Sequence, residues 1–141
     1  MLNYAKEVIE KTNDWIAGDK KAKQWLQANN YEELVQLKDA ASRYAKAMEY
    51  LLINKQFTLA AFVNAVWDDK KAFELLMKKK EFIWAAMANF INGDVNAASF
   101  LKKNNLNHYA ELAFTIQAKI RREGDEGTTI FGGGPFKVSK D

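Results

Sequence analysis

The 25 residues from Asp69 to Gly93, DKKAFELLMKKKEFIWAAMANFING, carry the plan of this chain. Their opening tetrad, Asp69-Lys70-Lys71-Ala72, repeats Asp19-Lys20-Lys21-Ala22 fifty residues upstream, and Gly93-Asp94 repeats Gly18-Asp19 seventy-five residues upstream. Both offsets are multiples of 25, which sets four units: 19–43, 44–68, 69–93 and 94–118. In that register six columns are apolar in every unit. The fourth is Ala22, Ala47, Ala72 and Ala97. The seventh is Trp25, Tyr50, Leu75 and Phe100, and the eighth is Leu26, Leu51, Leu76 and Leu101. The sixteenth is Leu34, Leu59, Trp84 and Tyr109, and the nineteenth is Leu37, Phe62, Met87 and Leu112. The twenty-third is Ala41, Val66, Ile91 and Ile116, and Ile9 and Ile16 extend the sixteenth and twenty-third columns backwards into a half unit. Chance fills one such column easily in a chain rich in alanine; six in one register need a cause.

The spacing within a unit is helical. Positions 4, 7 and 8 share one face of a first helix, and positions 16, 19 and 23 share one face of a second. Between them lie polar breaks, Ala28-Asn29-Asn30, Asn54-Lys55-Gln56, Lys78-Lys79-Lys80 and Lys103-Asn104-Asn105, where asparagine tolerates the left-handed conformation that ends a helix. Asp19, Asp69 and Asp94 are placed to cap the next helix, and Gly18 and Gly93 to close the previous one. The junction Ser42-Arg43-Tyr44 has no such signal, so residues 32–53 read either as two helices or as one. A lone helix pair cannot bury its apolar face; stacking makes the core continuous.

The expected fold is therefore all-α. It is a short α-solenoid-like stack of about four 25-residue helix pairs over residues 1–122. A capping helix from roughly Leu2 to Ala17 precedes the stack. The chain resembles α-solenoids as an architectural class, through Ala118. It lacks the signatures of tetratricopeptide, ankyrin, HEAT and leucine-rich repeats, so no family's functional residues carry over. Residues 123–141 form a tail whose Thr128-Thr129-Ile130-Phe131 and Phe136-Lys137-Val138-Ser139 flank a glycine-rich loop. It reads as a hairpin or an extended docking arm, on its own last helix pair or on another molecule.

Composition narrows the function classes. With 141 residues the chain is one domain, and 48% apolar content argues against disorder over most of it. It has no cysteine and one histidine, which excludes thiolate metal centres and multi-histidine sites within the chain. No apolar run is long enough to span a membrane. The mixed, charged start at Met1-Leu2-Asn3-Tyr4-Ala5-Lys6-Glu7 is unlike a signal peptide, so the expected compartment is the cytoplasm. The net charge is +3, and +5 over residues 1–122. That balance permits anionic partners without reaching the basic stripe of a dedicated nucleic-acid binder.

No catalytic constellation is visible, and no enzyme, cofactor or metal is expected. His108 stands alone near a helix start. Glu32-Glu33, Asp68-Asp69 and Asp125-Glu126 are adjacent acids, which do not face each other on a helix. Gly132-Gly133-Gly134 lacks the Lys-Ser/Thr of a phosphate loop. The expected function is a non-catalytic protein–protein interaction module or small scaffold, with self-association through the tail as one form. The candidate interaction surface is Met48, Trp67 and Phe73 with Ile130, Phe131 and Phe136 of the tail. The alternative is weak nucleic-acid or other polyanion binding along a lysine edge of Lys21, Lys46, Lys71, Lys78, Lys79 and Lys80. The expected partner is a protein, a second copy included; nucleic acid is disfavoured and no membrane partner is expected.

Overall fold

The computed structural model describes residues 1–124, and the tail readings, including Ile130, Phe131, Phe136 and the glycine triplet, lie outside them. The described residues form nine α-helices: α1 (Lys6–Ile16), α2 (Lys20–Ala28), α3 (Glu32–Ala41), α4 (Ala45–Ile53), α5 (Phe57–Val66), α6 (Lys70–Lys78), α7 (Phe82–Ile91), α8 (Val95–Lys103) and α9 (Asn107–Glu123). The four helix pairs of the repeat are α2/α3, α4/α5, α6/α7 and α8/α9, stacked in order. The unmarked junction does break: α3 ends at Ala41, and Arg43 takes φ 71°.

All eight turns follow one plan. Each has a single residue at positive φ: Gly18, Asn30, Arg43, Lys55, Asp68, Lys80, Gly93 and Asn105, alternately twelve and thirteen residues apart. In each, the next N–H bonds back to the carbonyl five residues earlier, from Asp19 to Asp14 through Leu106 to Leu101, at 2.7–3.1 Å. This left-handed stop satisfies carbonyls that a helix end would otherwise orphan. Outer helices of nine residues and inner helices of ten, each with a three-residue turn, give the alternation and hence the period. The expected caps are present: Asp19 accepts from the Lys21 N–H at 2.9 Å, Asp69 from those of Lys71 and Ala72, and Asp94 from that of Asn96.

The second helix of each pair, with α1, builds the inside. α1, α3, α5, α7 and α9 pack in sequence, and α9 returns against α1, so the inner layer closes into a ring. α2, α4, α6 and α8 each lie outside two successive inner helices. The sixteenth and nineteenth columns are fully buried, with Trp84 edge-on to Phe62 at 5.2 Å and to Tyr109 at 5.7 Å. The centre of the ring is therefore side chain, with the concave side of the stack turned inward and filled. The outer helices bury their fourth and eighth columns, alanine and leucine four residues apart, and α4 buries Met48 as well. Their seventh column was expected on the same face. It is half-buried at Trp25 and Tyr50 and exposed at Leu75 and Phe100, because a short outer helix rests on the ring along a narrow stripe.

Polar groups close both ends of the ring. At one end Leu2–Tyr4, expected to be helical, is not helical and bonds to residues at the centre. The Leu2 N–H donates to Glu81, the Trp84 indole to the Leu2 carbonyl at 3.0 Å, and the Tyr4 N–H to the Tyr109 hydroxyl at 2.8 Å. At the other end α9 runs past its siblings. Gln117 donates to the Phe90 and Ile91 carbonyls, and buried Lys119 pairs with Glu123 and donates to Ser42 at the end of α3.

Candidate interaction surface

With the interior filled, the accessible chemistry lies on the outside, and there the units differ. Over α7, between α6 and α8, runs a groove of about 410 Å³. Ala85 and Ala86 form its floor, and Phe73, Met77, Phe82 and Phe100 its walls. Phe73 and Met77 lie one helical turn apart on α6, so they face α8 together. One unit earlier the same positions are Met48, Leu52, Phe57 and Leu75, with Ala60 and Ala61 beneath. In the first unit the outward positions are Lys23, Gln27 and Glu32, and in the last Lys102 and Asn107. The side of the molecule over α5 and α7 is thus apolar; the first unit is polar at these positions, and the last is mixed, with Ala98 in the same column as Phe73 and with Val95 and Phe114 exposed.

The groove is electrically polarised along its length. Lys78, Lys79, Lys80 and Lys102 are exposed at the end where α6 and α8 finish, and Asp94 and Asn96 stand where α8 begins. A further depression of about 650 Å³ over α9 is lined by Asn13, Lys102, Asn107, Glu111 and Phe114. Phe90, Ala98 and Ala110 also line it, so it mixes apolar and polar side chains.

The sequence-derived candidates fall into different places. Met48 is core, 7% exposed under the α4–α6 side, because its column turns inward over α5. Phe73 is half-buried and walls the groove. Trp67 covers a seam: its indole donates to the Ala41 carbonyl at 2.9 Å and the Arg43 guanidinium lies over its ring. The equivalent positions in later units, Asn92 and Gln117, make the same kind of bond to α5 and α7, so this column satisfies last-turn carbonyls of the preceding inner helix.

The lysines do not form one edge. Lys21, Lys46 and Lys71 stand in the first turns of α2, α4 and α6, two residues after Asp19, Tyr44 and Asp69. Lys78, Lys79 and Lys80 stand at the opposite end of α6, about 13 Å away. Capping carboxylates beside Lys21 and Lys71 cancel much of their field. The seam, the groove and the division of the lysines rest on the antiparallel helix order, which no single unit reveals.

His108 is half-buried beside Tyr109, and burial, then Lys6, push its pKa below the usual value against the pull of Glu10 and Glu111. Tyr4 donates to Glu33 at 2.9 Å, and burial, then the Glu33 carboxylate, push its pKa well above the usual value. Both contacts belong to the plug that fills the ring. Of the adjacent acids, Asp68 is the left-handed turn residue and Asp69 the cap. Among the described residues no group of three or more histidine, aspartate or glutamate side chains could hold a metal ion, and no helix is long and apolar enough to cross a membrane. Comparison with protein-family models, curated proteins and solved structures finds no match to this chain.

Proposed function

We propose that the chain is a non-catalytic protein-interaction module that holds a short amphipathic helix of a partner protein along the groove over α7. The observation that carries this reading is the run of exposed apolar side chains Leu52, Phe57, Leu75, Met77 and Phe82 on the middle units, where the first unit carries Gln27 and Glu32. Phe82 and Phe100 stay exposed, whereas the sixteenth and nineteenth columns are fully buried. Apolar side chains gathered beside a preformed groove are a recognition feature. Rigid flanking helices keep the ordering cost of binding low.

Charge selects the orientation of the guest. A helix parallel to α6 and α8 brings its negative C-terminal end, and any acids there, to Lys78, Lys79, Lys80 and Lys102. Selection from a random peptide library against the full chain, with counter-selection against Phe82→Ser/Phe100→Ser, tests this. The expected winners are amphipathic, acidic near their C-termini, and bind the wild-type chain alone. Winners that bind both proteins equally overturn the reading. Light scattering on the free chain separates out a second copy as the guest, which would appear as a mass rising with concentration and lost in the double variant.

A further inference from the structure

Every passage from an outer to an inner helix lies at the same end of the closed ring, so these turns form one rim. Three of them carry exposed lysines, and the first two also carry exposed apolar side chains. Leu52-Ile53-Asn54-Lys55-Gln56-Phe57 joins α4 to α5, Met77-Lys78-Lys79-Lys80-Glu81-Phe82 joins α6 to α7, and Lys102-Lys103-Asn104-Asn105-Leu106 joins α8 to α9. Lys55, Lys78, Lys79, Lys80, Lys102 and Lys103 are all exposed. So are Leu52, Ile53, Phe57, Met77 and Phe82, with Ile53 at 69% and Phe57 at 50%. The one acid in these turns, Glu81, is buried, and its two carboxylate oxygens are taken by the Leu2 N–H and the Thr58 hydroxyl, both at 2.7 Å. The corresponding α2–α3 turn leads instead into Glu32 and Glu33 and carries no lysine.

Lysine at a helix C-terminus complements the dipole and by itself needs no partner. Isoleucine and phenylalanine at the tips of the same turns have no such reason. We propose that this rim is a docking face for an anionic lipid surface, sharing with the peptide groove Met77, Phe82 and the lysines at the groove's end. Three features favour a bilayer over a protein here. The turns stand side by side at one end of a rigid ring, which presents a broad face. Their apolar side chains project from convex turns, where a protein partner would need a matched pocket for each, whereas the interfacial layer of a bilayer admits each one separately. Long lysine stems let the ammonium groups reach lipid phosphates while the apolar tips enter. The chain would lie on the membrane through this end and leave the groove accessible from the side.

The test is co-sedimentation of the full chain with vesicles of phosphatidylcholine alone and of phosphatidylcholine mixed with phosphatidylglycerol, at low and high salt. The expected result is binding to the mixed vesicles only, weakened by salt. Lys78→Glu/Lys79→Glu/Lys80→Glu is expected to lose about a hundredfold in affinity, at roughly fivefold per lysine near an anionic surface. Ile53→Ser/Phe57→Ser is expected to lose about tenfold while keeping its salt dependence. Lys21→Glu/Lys46→Glu/Lys71→Glu, the same charge change at the far end of the outer helices, is expected to bind as the wild type does. Circular dichroism checks that these surface variants fold. No sedimentation with mixed vesicles overturns the proposal, as does an equal loss in both lysine triples. Binding of an acidic apolar peptide at the rim without vesicle binding also overturns it. Phe100→Ser removes a groove wall that lies outside the three turns and is expected to leave vesicle binding intact, so a failed groove and a failed rim give different results.

Discussion

The inner and outer columns of the repeat obey different rules. Leu34, Leu59, Trp84 and Tyr109 differ in size and shape, yet all four are fully buried in the ring. At the outward fourteenth position Glu32, Phe57, Phe82 and Asn107 differ in polarity, and the backbone is the same beneath each. Folding constrains the first column to be apolar and leaves the second free. The apolar choices at Phe57 and Phe82 are therefore not dictated by the core, whereas that at Trp84 is.

The largest expected effect lies inside. Trp84→Ala removes edge contacts to Phe62, Tyr109 and Tyr4 and leaves the Leu2 carbonyl without its indole donor. Chemical denaturation is expected to show a loss of about 3–5 kcal/mol. A loss under about 1 kcal/mol would mean that the ring is not the core. Next is Tyr109→Phe, which keeps the ring packing and deletes a hydroxyl that accepts from Tyr4 N–H and donates to Asn3. A cost of about 1–3 kcal/mol is expected from the stranded N–H, with exchange protection lost first at residues 2–4.

The same plug gives stability a pH dependence. The folded state raises the pKa of Tyr4 and of Tyr109 above the ordinary value of 10.0, chiefly through burial, and so favours their neutral forms. Below pH 10 this contribution is intact. Above it an unfolded chain loses these protons while the folded chain holds them, so stability falls as pH rises. Denaturation midpoints measured from neutral pH to above pH 10 are expected to decline at the top of that range, and Tyr4→Phe is expected to flatten the decline.

Much of the ring was legible in the sequence because burial repeats. The fourth, eighth, sixteenth, nineteenth and twenty-third columns are buried in every unit, as is the seventeenth, and the aspartate caps stand where the offsets put them. Three things were not legible. Ring closure depends on the small rotation between pairs, which no column records, so the meeting of α1 with α9 had no signature. The seam donors Trp67, Asn92 and Gln117 are chemically unlike, and they form one column only through their shared bond to a preceding helix end. The break at Arg43 carried no glycine or asparagine; the register of the neighbouring pairs imposes it on a residue that pays for its left-handed conformation. Of the candidate surface, Phe73 was legible as an apolar departure in its column. Met48 was not, since its column turns from wall to core between adjacent units.

The left-handed turns allow a smaller, opposite effect. Lys55 holds φ 59° on an exposed turn, where a Cβ costs about 1 kcal/mol that glycine does not pay. Lys55→Gly is expected to raise stability by about 0.5–1 kcal/mol, whereas Gly93→Ala, at φ 108°, is expected to lower it although its Cβ would meet open space. Both substitutions together ask whether conformation rather than contact sets the turns, and thermal denaturation reads the answer.

The smallest expected effect on folding lies on the outer face. Phe82→Ser and Phe100→Ser remove large side chains that are 42% exposed in each case. If these residues serve only a partner, denaturation should change by no more than about 0.5 kcal/mol, the range of ordinary surface substitutions. A loss comparable to that of Trp84→Ala would show that the groove walls support the stack, and the distinction between inner and outer columns would fail. Stability kept and peptide capture lost together would assign these side chains to recognition. The middle units would then differ from the end units because their outer positions answer to a partner, while the inner positions of all units answer to the ring.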